Sequence, residues 1–524
     1  MLLKLALTLA ICLVSTLAGQ VQLPDLQLPP NSAVVKSTVK HMFIDSYNAY
    51  RRVSVFIPLS LTVNRMNAHR KYAWGHDDLL PVSNSSSDGR NGWGASIIDG
   101  MGTMCIMGLD DFFAEALNFT QGIDFSNSKV SETVSVFETT IRYMGGLLSA
   151  YELSGYEHQI LVKKAQEGQT IPYGEIWFDD NTAVVSTSNI AEAGTLDIEW
   201  SRLSQYTGND TYRSLAEGSV RTIANMPVPL PGLAPQGIDP SSNTFVGEYL
   251  SWGGGSDSYF EYLIKYPRLT NTNDTIFADT WAAAVDSSIK NMARNSTVGN
   301  YTYIADWNEG ELIDVGSHLA CFNGGNWILG GKLLNNQTIF DYGLALVGSM
   351  TGIGPEVFQW NANGVPSSQK AFYNKHGFWI SAADYILRPE VLESNFYAWR
   401  ATGDTKYIAR ATSAVHSLKK YLPQPSGGYA GLNDVTNAAA GYIDDQQSFW
   451  FAEVLKYLYL TFDDPEHISL NDYVFNTEGQ PFQAPPAKDV YGSGQPAIIK
   501  GKFVTKTNLP LPAISPNKFL PVLI

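Results

Sequence analysis

Apolar residues recur every three to four positions over several long stretches of the chain, at 97–118, 132–154, 196–207, 257–265, 389–402, 404–421 and 447–461, and an earlier helical pattern runs from Val39 to Tyr50. In 132–154, Val134, Phe137, Ile141, Met144 and Leu148 fall within one face at about 100° per residue, and Gly155 stops the run. This spacing predicts an amphipathic helix. Gly-, Pro-, Asn- and Asp-rich connections separate the periodic stretches. The β-prone pieces Tyr301 to Ile304 and Val474 to Phe475 are short and lie between helices, so they predict hairpins or loops and not a central sheet. The pattern predicts an all-α fold with minor β. No fixed-period repeat, Ser/Gly linker or charged block divides 36–480. One large domain is therefore expected over that range, although a length of 524 residues alone favours about three domains.

The ends read differently. Lys4 precedes the apolar run Leu5 to Val14, and small residues follow at Ser15, Thr16, Ala18 and Gly19. This is the pattern of a cleavable secretory signal over 1–19, too short to span a bilayer. Secretion as a protein without a transmembrane segment is expected. Residues 20–35 are Pro-rich and predict an extended lead-in, and from Pro481 to the end recurrent prolines predict an irregular, wrapping C-terminal tail.

Composition narrows the function classes. With 44% hydrophobic, 16% charged and 12% aromatic residues, the chain can build a large core. Fifty acidic against 35 basic residues give a net charge of −15, which argues against nucleic acid held through its phosphates and for a neutral or cation-bridged ligand. Seven N-x-S/T sequons, at Asn84, Asn118, Asn209, Asn273, Asn295, Asn300 and Asn336, fit a secretory route. Beyond Cys12 only Cys105 and Cys321 remain, too few for a disulfide scaffold. One bridge between them and a buried free thiol at Cys105 both stay open.

Several chemistries drop out. The eight histidines include no H-E-x-x-H pair, and no G-x-S-x-G elbow is present. GGNWILGGK at 324–332 departs from a phosphate loop in glycine spacing and in Leu333, and predicts a tight helix connection. What remains is carboxylates embedded in apolar and aromatic sequence, where an unpaired charge is costly. Glu138 precedes Arg142 by one turn, the spacing of an ordinary i,i+4 pair on a solvated face. Asp257 and Glu261 follow a glycine loop, but Ser258 and Glu261 also have capping-box spacing. Glu390 and Glu393 follow Pro389 in a first helical turn, where dipole compensation suffices to explain them. Glu453 sits in a nearly apolar helix, with a snorkelling pair to Lys456 as the bland account. Singly each site has an ordinary explanation. Together they point to a carboxylate-lined, aromatic-rich pocket suited to sugars, whose apolar ring faces pack on aromatics.

The segments SVFETTIRYMGGLLSAYELSG, AEAGTLDIEWSRLSQYTGN, GGGSDSYFEYLIK, GSHLACFNGG, TGIGPEVF, LRPEVLESNFYAWRATGD, FWFAEVLKYLYLTFDDP and YVFNTEGQP resemble, in order, the motifs of glycoside hydrolase family 47, the class I α-1,2-mannosidases, with the flavour of secreted fungal members. The likeness runs from about Val39 to Pro481. It implies an (α/α)7 barrel, Ca2+ dependence, and inverting hydrolysis of terminal α-1,2-linked mannose from high-mannose N-glycans of glycoproteins, by a protein expected to be a monomer. By the same likeness Glu138 matches the proton donor, acting through a water. Asp257 matches another catalytic carboxylate, Glu390 the base, and Thr477 the calcium-binding residue. Arg142, Glu199, Glu261, His318, Arg388, Glu393, Phe449, Glu453 and Glu478 match sugar-contacting positions. A mannosidase-like lectin with little turnover is the alternative the same likeness allows.

Departures from the family pattern sharpen these expectations. Gly255 stands where endoplasmic-reticulum members carry Arg, which implies the broader type that removes several mannoses. The later cysteine that usually pairs with Cys321 is absent from FDYGLALVGSM. Asp78 in HDDLLP replaces the usual Glu, and Gln480 stands where His is common.

Overall fold

The computed structural model describes residues 19–51, 73–130, 133–158, 174–177, 182–350, 359–362 and 364–494. The signal-like residues 1–18, the whole of TGIGPEVF and the tail from 495 lie outside them. Among the described residues six helices form an outer layer: α1 (Ser32–Arg51), α3 (Asp110–Gln121), α7 (Thr211–Asn225), α9 (Ile276–Asn291), α11 (Gln337–Met350) and α14 (Lys406–Tyr421). Alternating with them in the chain are the inner helices α2 (Ala95–Met107), α4 (136–153), α6 (Asp197–Thr207), α8 (Asp257–Thr270), α10 (Phe322–Leu333), α13 (Glu390–Thr402) and α15 (450–462). Each inner helix packs on the next, and α15 returns to α2, so seven helices close a ring. The short helices α5 (Ile190–Gly194) and α12 (Lys370–His376) belong to connections. All sheets have two or three short antiparallel strands, as the sequence predicts.

The division into rings follows the residue pattern. Outer helix α14 buries Tyr407, Ile408, Ala411, Ala414, Val415 and Leu418 at three-to-four spacing and turns its lysines outward. Inner helix α13 is buried from Val391 through Ala401, on every side. Its Trp399 is fully buried, and enclosing a side chain of this size contributes roughly 1.5–3 kcal/mol.

Several predicted boundaries move, each for a local reason. The single helix expected over 97–118 is two, because Gly108 adopts a left-handed conformation (φ 60°) and its N–H caps Cys105 O. In 132–154 residues Thr133–Ser135 form a strand, the helix begins at Val136, and a π-helical turn at Thr139–Met144 shifts its register, so it is buried all round and not amphipathic. GGNWILGGK is no connection but the body of α10. A Cβ on Gly330 would lie 2.1 Å from the Trp281 ring, so the glycines allow α9 and α11 to approach. Alanine there would cost about 1–3 kcal/mol through overpacking.

Both ends of the described chain are tied down. Gln22 is buried and accepts from Arg400 Nη1 at 2.7 Å. Arg268 Nη1 donates to Pro485 O at 2.8 Å. Cys105 and Cys321 are free thiols. Among the described residues no helix is long and apolar enough to cross a membrane.

The hairpin Tyr473–Phe475/Pro481–Gln483 occupies one end of the ring. Its loop, 476–480, reaches the inner helices from inside. Asn476 Nδ2 donates to Glu199 Oε1 (2.7 Å) on α6 and to Ile141 O on α4, and Gln480 Nε2 donates to Asp99 O on α2. Lys456 Nζ, on α15, donates to Gly479 O (2.6 Å) and Gln480 Oε1 (3.1 Å). Lys456 is therefore a buried clamp on the hairpin and not the snorkelling partner of Glu453. Removing its solvent lowers its proton affinity, to about 7, against the pull of Asp99 and Glu453.

Candidate active site

Above the hairpin loop lies a cavity of about 250 Å3. Glu138 and Arg142 from α4, Asp257 and Glu261 from α8, Glu390 and Glu393 from α13, Phe449 and Glu453 at α15, Arg388 before α13, and Thr477 and Glu478 of the hairpin loop all line it. Residues separated by more than 300 positions thus meet in one place. Glu199 and His318 stand just behind: Glu199 Oε1 accepts from Tyr262 OH at 2.6 Å, and His318 Nε2 is 3.4 Å from Glu390 Oε2.

Local geometry puts these groups at helix starts. Ser135 caps α4, its Oγ accepting the Glu138 N–H at 3.1 Å. Asp257 and Glu390 open α8 and α13, but Ser256 and Pro389 make no side-chain cap there. Two inner helices carry a π-helical turn, Thr139–Met144 in α4 and Trp450–Val454 in α15. The extra residue per turn lets Glu138, Ile141 and Arg142 all reach the cavity.

The Glu138–Arg142 pair is present, Nε to Oε2 at 2.5 Å, but it faces the cavity and not bulk solvent. Arg142 also bonds Glu478, and its Nη1 lies 3.6 Å from Asp99. Arg90 Nε approaches the same Glu138 Oε2 at 3.4 Å. Burial raises the proton affinity of Glu138, but the two guanidiniums outweigh it and hold the carboxyl at about 2, firmly ionised. The far side is different. Burial pushes Asp257 up to about 7, and raises Glu390 against the opposing pull of Arg388. Glu393 is raised to about 8 by burial, with Lys265 only partly compensating. His318 is pushed down to about 3 by burial and by Arg388, so it is neutral and lends Glu390 no charge. Phe449 lies between Arg142 and Arg388, whose guanidinium carbons are 5.7 and 5.5 Å from its ring centre.

The Ser258–Glu261 capping box does not form. Glu261 instead bonds Lys265 within the core, and Asp257 Oδ1 accepts the Ser258 N–H at 2.9 Å. Eight carboxyl groups line the cavity against three guanidiniums, those of Arg90, Arg142 and Arg388. Oε2 of Glu199 and Oε2 of Glu390 are buried and accept no hydrogen bond from the described residues. Such a site fits an added hard cation. Among the described residues no three His, Cys, Asp or Glu side chains converge to hold a metal directly. Thr477, whose Oγ1 is 3.0 Å from Ser258 Oγ, supplies neutral oxygen inside this acidic surround.

Sequence reasoning missed Arg90, Gln447, Asn189, Glu192, Phe137 and Phe322, which also line the cavity. Phe137 is on the stripe read as core. Arg90 lies in a connection, where no period marks the direction of a side chain, and Gln447, read as the first residue of the stretch 447–461, precedes the start of α15 at Trp450.

The glycosyl hydrolase family 47 model matches residues 63–484. The chain is 38% identical over 463 residues to the probable mannosyl-oligosaccharide α-1,2-mannosidase 1B of Aspergillus clavatus, covering 80% of this chain and 90% of that protein. It is 38% identical over 458 residues to mannosyl-oligosaccharide α-1,2-mannosidase 1B of Emericella nidulans, covering 80% and 90%. The solved structure of the α-1,2-mannosidase from Trichoderma reesei superposes with a TM-score of 0.79 at 35% identity, over 86% of this chain and 99% of that one. The seven-membered helical ring is thus the (α/α)7 barrel of that enzyme.

Proposed function

Since the chain belongs to glycosyl hydrolase family 47, we propose that it hydrolyses terminal α-1,2-linked mannose of high-mannose N-glycans, with inversion and with calcium bound near Thr477. The observation that carries this reading is the meeting of Glu138, Asp257, Glu390 and Thr477 around one cavity.

Each group has a physical task. Phe449 gives an apolar floor for the C–H face of a terminal mannose, and the surrounding carboxyls accept its hydroxyl hydrogen bonds. Glu390, with a buried oxygen that accepts no hydrogen bond from the described residues, is placed to take a proton from the attacking water. Glu138 is held as a carboxylate, so it passes a proton to the departing sugar oxygen through a water instead of storing one itself. Asp257, opening α8 between those two positions in the ring, steadies charge at the reacting carbon. Calcium held by Thr477 oxygens and waters would offset the acidic lining and orient sugar hydroxyls. Inversion needs acid and base apart with room for a water, and the reading assigns them to Glu138 and Glu390, which stand on different inner helices.

Gly255 has φ +84°, and a Cβ there would meet Gln236 Nε2 at 2.8 Å. No side chain enters the cavity from this position, which leaves room for more than one glycan branch. Retention of every catalytic carboxyl favours turnover over a lectin role. Digestion of a high-mannose N-glycan should release several mannoses, stop on chelation and resume with calcium. Unchanged glycan in the presence of calcium would refute the reading.

A further inference from the structure

Arg90 sits in the loop before α2, 48 positions from Glu138, yet it is built into the same cavity. Its backbone is fixed on both sides: the N–H donates to Asp77 Oδ2 at 2.7 Å, and the carbonyl accepts from Tyr143 OH at 2.8 Å. Asp77 is fully buried and also takes the N–H groups of Gly92, Gly94 and Ala95, so the whole loop hangs on one carboxylate. The guanidinium is spread over three partners. Nε faces Glu138 Oε2 at 3.4 Å, Nη2 donates to Gln447 Oε1 at 3.2 Å, and Nη1 stands 3.5 Å from Asp78 Oδ2.

We propose that Arg90 is a positioning residue for Glu138, holding Oε2 jointly with Arg142 so that Oε1 is left to the reacting side. This rests on the hydrolase reading above. The geometry is asymmetric in a useful way: both guanidiniums address one oxygen, and among the described residues no hydrogen bond falls on the other. A carboxylate gripped by Arg142 alone can pivot about that contact. A second donor from a different part of the chain removes the pivot. Burial raises Asp78 to about 8 despite Arg90, so below that value it competes only weakly with Glu138 for the guanidinium. Its side chain is one methylene shorter than the glutamate usual in that motif, which gives the sequence departure a consequence.

Steady-state kinetics on α-1,2-mannobiose test this with three variants beside the wild type. Arg90→Met should lower kcat by about 10- to 100-fold with KM within about threefold, the signature of misplacement in the transition state. Arg90→Lys, which keeps the charge, should recover about tenfold of that loss. Gln447→Glu, which sets a carboxylate against Nη2 without removing packing, should lower kcat in the same direction. The assignment is overturned if Arg90→Met keeps full kcat, if it raises KM alone, or if Lys and Met lose equally. Should the Met variant not fold, full kcat in Gln447→Glu overturns it instead. Inactive wild type overturns the hydrolase reading and this inference together, whereas active wild type with indifferent variants overturns only this one.

Discussion

On the α4 side of the cavity Glu138 meets two guanidiniums and a capped helix start, whereas on the α8 and α13 side Asp257 and Glu390 open uncapped helices with far less compensation. The first side stabilises a negative charge with the protein's own cations. On the second, burial leaves carboxyls that bind protons near neutrality unless another cation arrives. The difference shows that a cavity with a large acidic excess need not be uniformly unstable. Its charge is settled internally around Glu138 and left largely uncompensated around Asp257 and Glu393.

The largest expected break in this contrast comes from removing the proposed base Glu390 or the proposed catalytic carboxyl Asp257. Glu390→Gln and Asp257→Asn should each lower kcat/KM by about 10^2- to 10^4-fold, measured on α-1,2-mannobiose, while the fold persists in circular dichroism. Near-full turnover in Glu390→Gln would remove it from the mechanism. Next in size is Arg142→Met, which strips the shared cation from Glu138, Glu478 and Asp99. Leaving buried carboxylates unpaired should cost about 3–5 kcal/mol in denaturant unfolding. A loss below about 1 kcal/mol would mean those groups simply take up protons.

The open side predicts a pH dependence of stability. Asp257 has an ordinary value of 3.8 and is raised to about 7 in the fold. Below 3.8 both folded and unfolded forms keep the proton. Between there and about 7 only the unfolded chain ionises, so stability falls as pH rises. Glu393, raised from 4.5 to about 8, acts in the same direction. In chelator the melting temperature should therefore drop between about pH 4 and 8, and saturating calcium should flatten the slope; equal slopes with and without calcium would dissociate the ion from these carboxyls. Glu138 runs the other way, contributing stability above 4.5 that is lost as pH falls toward about 2. The smallest effect should come from Ser135→Ala, which removes the cap of α4 and should cost about 1 kcal/mol in thermal unfolding.

Much of this was legible in the chain. The periodic stretches located six of the seven inner helices, all but the glycine-rich α10, and motif likeness located most of the lining. Less visible were features that depend on contacts across the ring. Gly330 looks like loop chemistry until Trp281 is placed against it. The π-helical turn in α4, where Ile141 O accepts from Asn476 of the hairpin loop, departs from a strict 3.6 period, which therefore misjudged which face Glu138 occupies. Glu453 and Lys456 look like a surface pair, but the hairpin carbonyls claim the lysine. Arg90 had no local signal because its role depends on Asp77, Gln447 and Glu138 meeting in space.

Proton NMR of α-1,2-mannobiose during hydrolysis by the calcium-loaded protein addresses the central claim most directly, because it reads the stereochemistry of the bond being made. The account predicts β-mannose as the first product, appearing before mutarotation and only while calcium is present. Release of α-mannose first, or no release at all, would contradict it.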